Sequence, residues 1–100
     1  MRVITLLQLR KCPWAAAVRQ TLANVNQDYG VIQVPYDRSL RGQVVELTGQ
    51  DKTPVLIDGD TVLWESRQIV AYLYETYGDA RQHERAQELR DEIREHAATP

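Results

Sequence analysis

A chain of 100 residues in which 43% are hydrophobic is long enough to close one core and too apolar for wholesale disorder. Its formal net charge of −2 offers no electrostatic basis for binding nucleic acid or a membrane surface. The first apolar run, Val3 to Leu7, is too short for a signal-peptide core or a membrane span, and a lone cysteine excludes an internal disulfide and a cysteine-rich zinc site; a cytoplasmic protein is the expectation.

Val3-Ile4-Thr5-Leu6-Leu7 is a continuous β-prone run, the pattern of a strand buried on both faces. A helix is predicted from residue 13 to about 26, with Ala15, Val18, Leu22 and Val25 at helical spacing. Val31-Ile32-Gln33-Val34-Pro35 reads as a second strand, stopped by a proline that cannot donate to the ladder. Asp37-Arg38-Ser39 is a turn or cap, after which Leu40, Val44 and Leu47 form a short apolar stripe closed by Gly49. Thr53–Ile57 and Thr61–Trp64 are predicted strands joined by Asp58-Gly59-Asp60, a strong hairpin signal. Ser66 can cap the next helix, whose Ile69, Leu73 and Tyr77 share one face and which Gly78 ends. From Asp79 to Ala98 the chain is rich in Glu, Arg, Gln and Ala, with a thin stripe of Ala86, Leu89, Ile93 and Ala97 that asks for cover from the domain body or from a second copy.

Cys12 stands between the first strand and the first helix, directly before Pro13. Proline is favoured at the first helical position, which places Cys12 at or next to the N-cap. There the free backbone N–H groups and the positive end of the helix dipole favour a thiolate, and Arg10 and Lys11 add positive charge. The plainer reading is a small apolar filler. Two cations and a helix-starting proline around it point to a reactive thiol.

The element order is β-α-β-α-β-β-α with one extra C-terminal helix. Two strand–helix–strand passages predict parallel neighbours, and the hairpin adds an antiparallel edge. This is the order of an α/β, thioredoxin-like domain. Within it, Cys12-Pro13-Trp14-Ala15, with Arg19 further on, resembles the helix start of omega-like, cysteine-type glutathione transferases. Thr53-Pro54-Val55-Leu56 resembles the segment that carries this family's cis-proline, and Glu65-Ser66 with Ile69, Tyr72 and Leu73 resembles its Glu-Ser-x-x-Ile-x-x-Tyr-Leu signature. The resemblance runs from residue 3 to about 79. It divides the chain into a glutathione-binding domain, 1–78, and a charged helical extension, 79–100.

The resemblance implies glutathione as substrate or co-substrate. Glu65 and Ser66 would hold its γ-glutamyl end, for a helix start suits a carboxylate and the side chain of Glu65 suits an ammonium. Thr53, before a cis Pro54, would offer its backbone to the cysteinyl part. Lys52 is placed to reach a glutathione carboxylate, with surface solvation as its plain alternative. Cys12 would be the catalytic thiol, with Arg10, Lys11 and Pro13 activating it. Two departures from the family stand out. Ala15 occupies the place of the second cysteine of a dithiol glutaredoxin, so a redox cycle must pass through a glutathione mixed disulfide resolved by a second glutathione. Only one helix follows the domain, so the pocket for a hydrophobic co-substrate is expected to be missing or borrowed.

The leading expectation is therefore a monothiol, glutathione-dependent thiol transferase, with dehydroascorbate-type reduction as a variant. Its substrate would be a small disulfide or a glutathionylated protein. The alternatives are a non-catalytic module that docks a protein partner or forms a homodimer, and an iron–sulfur role. Against the last, Cys-Pro-Trp-Ala replaces the Cys-Gly-Phe-Ser of that class. Metal, nucleic-acid and membrane partners are not expected.

Overall fold

The computed structural model describes residues 3–98. Strand β1 (Ile4–Gln8) is the second strand of a four-stranded sheet of order β2-β1-β3-β4. It pairs in parallel with β2 (Gly30–Gln33) and antiparallel with β3 (Val55–Asp58), which forms a hairpin with β4 (Thr61–Trp64). The hairpin turn uses Gly59 at φ +60°, a left-handed conformation that favours glycine.

The parallel crossing expected between the second and third strands is absent. Gln33 at the end of β2 pairs with Gln8, and Val55 at the start of β3 pairs with Leu7. The connection therefore leaves and re-enters at the same edge of the sheet, so β3 has to run back along β1.

Both faces of β1 are covered, which is why its sequence is apolar without alternation. On one face Ile4, Leu6 and Leu56 pack with Val18 and Leu22 of helix α1 (Pro13–Asn24) and with Ile69 and Leu73 of helix α3 (Ser66–Tyr77). On the other, Leu7 and Val55 pack with Val34 and with Val44 of the short helix α2 (Gly42–Thr48). Of the stripe expected for α2, only Val44 reaches the core. Leu40 is 66% exposed in a separate 3₁₀ turn (Arg38–Leu40) and Leu47 is exposed, because a helix of two turns presents a single side chain inward.

Helix α1 begins with Pro13 after Cys12 and ends two residues before the expected point. Asn26 takes φ +56°, and the N–H groups of Gln27 and Asn26 bond to the carbonyls of Leu22 and Ala23 at 3.0 and 3.1 Å. That pair of bonds is a Schellman closure, with asparagine in the left-handed place. Gly78 ends α3 for a different reason. Its φ is −85°, and a Cβ there would lie 2.4 Å from the Tyr74 carbonyl and 2.8 Å from Gln82 Cβ, so the chain turns too tightly for a side chain.

Helix α4 (Ala80–Ala98) starts at a reciprocal cap. The Asp79 carboxylate accepts from the Gln82 N–H and the Gln82 side chain accepts from the Asp79 N–H, both at 2.9 Å. It packs along α3, with Ala86 and Leu89 buried and Ile93 half-buried. Arg90 grips Glu75 of α3 through two hydrogen bonds, 2.7 and 3.1 Å. This holds the Glu75 carboxyl below its ordinary range and raises Arg90. The body of the domain thus covers the stripe; Ala97 lies outside the described side chains.

Candidate functional site: a cleft between two helix starts and a cis-proline

The sheet register gathers three structural ends at one edge. Leu7, near the end of β1, pairs with Val55 at the start of β3, which pairs with Trp64 at the end of β4. The N-terminus of α1, the segment before β3 and the N-terminus of α3 therefore meet there. Helix starts carry free N–H groups and partial positive charge, and two converging on one edge suit an anionic or thiolate group.

Thr53-Pro54 is a cis peptide bond. One residue past β4, Glu65 sits at φ +79°, ψ 115°, a strained backbone for a residue with a side chain and one that recurs at ligand clamps. Glu65 takes the N-cap place, which corrects the expectation that Ser66 caps α3. The strand runs straight into the helix, Glu65 makes the whole turn, and Ser66 becomes the first helical residue. The first intrahelical bond is from the Ile69 N–H to the Glu65 carbonyl, 3.0 Å, which leaves the N–H groups of Ser66, Arg67 and Gln68 without partners inside the helix.

These elements border an open cleft of about 650 Å³. Lys52, Thr53, Pro54, Glu65 and Ser66, the residues expected around glutathione, all line it. Cys12 is the N-cap residue of α1, half-buried, with its N–H bonded to the Leu9 carbonyl at 3.3 Å. Cys12, Pro13 and the exposed Arg10 and Lys11 are not among the lining residues; Trp14, 62% exposed, is the cleft's contribution from α1. Arg19 does not face the cleft either. It donates to the side chain of Gln8 and ties α1 to the end of β1.

The remaining lining residues, Trp64, Arg67, Gln68, Ile93 and His96, carry no sequence signal strong enough to mark them in advance. Trp64 and Arg67 flank the Glu-Ser pair, and that adjacency is the one clue to them. Ile93 and His96 are three apart on α4, hence on one face, but only the docking of α4 on α3 brings that face to the cleft. One side of the cleft is thus formed by α4. Among the described residues no cluster of His, Cys, Asp or Glu is placed to hold a metal ion, and no helix is long and apolar enough to cross a membrane.

At the opposite end of the sheet from the cleft, the buried Asp58 that closes β3 accepts from the hydroxyls of Tyr72 and Tyr77 at 2.8 and 2.5 Å, fixing α3 to the sheet. Burial, and then the Asp58 carboxylate, raise the Tyr72 hydroxyl above its ordinary 10.0.

A sequence model described as the glutathione S-transferase N-terminal domain matches residues 6–82. The chain belongs to that family. Glutathione S-transferase D6 of Drosophila melanogaster is 37% identical over 68 residues, covering 66% of this chain and 32% of the relative. The solved glutathione transferase E6 of the same fly superimposes with a TM-score of 0.70 at 33% identity, covering 77% of this chain and 36% of that one. A theta-class glutathione S-transferase from Xanthomonas axonopodis pv. citri, solved with glutathione bound, gives 0.69 at 28% identity, covering 77% and 38%. The chain spans about a third of the length of these relatives.

Proposed function

We propose that this transferase domain binds glutathione in the cleft and performs monothiol thiol transfer through Cys12. The observation that carries the reading is the meeting of cis Thr53-Pro54, the Glu65-Ser66 helix start and the Cys12 N-cap at one sheet edge. The free N–H groups at the start of α3 and the Ser66 hydroxyl would take the glutamyl carboxylate, and Glu65 the ammonium. The Thr53 backbone would pair with the cysteinyl residue, and Lys52 would meet the second carboxylate. The Cys12 thiolate would attack the glutathione sulfur of a mixed disulfide, forming a Cys12–glutathione disulfide and expelling the other half as a thiolate. A second glutathione thiolate would then attack the bound glutathione sulfur, leaving glutathione disulfide and free Cys12.

A second reading, glutathione conjugation to an apolar electrophile, is favoured by the aromatic and aliphatic wall of Trp14, Trp64 and Ile93. The two part on one variant. Thiol transfer from a small glutathione mixed disulfide should occur with the wild-type chain and vanish in Cys12→Ser, because Cys12 is the only thiol. Conjugation would survive that change. No glutathione-dependent turnover of the mixed disulfide by the wild-type chain refutes the first reading.

A further inference from the structure

The stretch from Gln50 to Pro54 contributes three residues to the cleft, yet it lies outside every helix and strand. No ladder orders its backbone, so side chains have to. Arg41 is the main one. The residue is 6% exposed, and its guanidinium donates to three backbone carbonyls: Nε to Pro35, Nη1 to Asp51 and Nη2 to Tyr36, all at 2.9 Å. One rigid fork therefore clamps the loop after β2 against the loop before β3. Gln50 extends the clamp. Its amide oxygen accepts from the Lys52 N–H at 2.6 Å and its amide nitrogen donates to the Lys52 carbonyl at 3.0 Å, as a neighbouring strand would. Arg38 adds a surface ion pair to the Asp51 carboxylate at 3.2 Å.

Burying a guanidinium between two loops is a costly way to gain stability, since an apolar side chain of similar size fills such a place without desolvation. What an apolar residue cannot do is fix three carbonyls from two segments in one plane. Lysine cannot either, because its ammonium is a point charge on a flexible stem. We infer that Arg41 is a positioning residue for glutathione: through the Asp51 carbonyl it sets the backbone that presents Lys52 and Thr53 to the cleft. The inference rests on the reading of that cleft as the glutathione site.

The test compares the full chain with Arg41→Lys, Arg41→Met and Leu22→Ala by calorimetric titration with glutathione and by amide hydrogen exchange. Leu22 is buried on the opposite face of the sheet, so Leu22→Ala is a destabilised control. Both Arg41 variants should bind glutathione about tenfold more weakly or worse, the scale of effect that small misplacements of binding groups produce. Exchange at residues 51–53 should rise while β1 and β3 stay protected. Leu22→Ala should melt earlier with glutathione affinity unchanged. If Arg41→Met does not fold, Arg41→Lys decides. Wild-type affinity in Arg41→Lys, or an affinity loss in Leu22→Ala as large as in the Arg41 variants, overturns the positioning role alone. A wild-type chain that binds no glutathione overturns the functional reading and the ligand half of this inference together.

Discussion

Leu89→Ala tests whether α4 is an integral wall of the cleft. Leu89 is 6% exposed against α3. The substitution removes three carbon groups, worth about 0.8 kcal/mol each, or about 2.4 kcal/mol in lost burial. The gap opens at the domain edge, where neighbours can close in, so the total should sit near the low end of the roughly 2–5 kcal/mol known for such changes. Few other contacts can compensate. Ala86 is small, and the Arg90–Glu75 pair is a third to nearly half exposed, which limits it to about 1 kcal/mol or less. A loss of about 2.5 kcal/mol shifts the docking equilibrium roughly 60-fold. Amides of residues 86–93 should exchange correspondingly faster, with β1 and β3 unchanged, because α4 opens as a unit of its own. Ligand binding in the cleft should weaken with it, since Ile93 and His96 line the cleft together with the start of α3. Unchanged exchange in α4, or an equal rise in β1, would refute the reasoning.

The pH dependence of the same contact has a definite sign. Glu75 is held below its ordinary 4.5 by the Arg90 hydrogen bonds, so its contribution is complete above that value and is lost as pH falls through the lowered one. α4 exchange should accelerate in that acid range, and Arg90→Ala should flatten the profile. Tyr72 runs the other way. Its raised hydroxyl stabilises the fold below 10.0 and stops doing so as pH rises through the folded-state value, so ultraviolet titration should find Tyr72 ionising late, and Asp58→Asn should bring it earlier. Ser66→Ala should change the melting temperature little, because Ser66 does not cap α3, but should weaken glutathione about fivefold for one lost hydrogen bond; a large stability loss would restore Ser66 as a cap. Gly78→Ala should destabilise the chain by about 1–3 kcal/mol in a denaturant melt through the clash with the Tyr74 carbonyl; wild-type stability would show that the α3–α4 turn can relax.

Much of this protein is written in its local chemistry. Pro13 sets the start of α1 and puts Cys12 at its N-cap, the Asp58-Gly59-Asp60 turn sets the hairpin, and Gly49 and Gly78 end their helices where the sequence predicts. These features depend on backbone preferences of a few neighbouring residues, which is what a sequence displays. The direction of β3, the exposure of Leu40 and Leu47 and the place of Ser66 are decided elsewhere. Each depends on where the chain crosses the sheet edge and how β4 meets α3, and that is set by packing between segments distant in sequence. The cleft divides along the same line. Thr53-Pro54 and Glu65-Ser66 can be found in the sequence through the family signatures they resemble, although the turn that Glu65 makes into α3 is set by packing. Arg41 is hidden there because its partners are backbone carbonyls, which every residue has and no sequence pattern marks. Ile93 and His96 are hidden because α4 reads as a solvated helix until Leu89 and Arg90 dock it on α3, and only the tertiary fold turns that face toward the cleft.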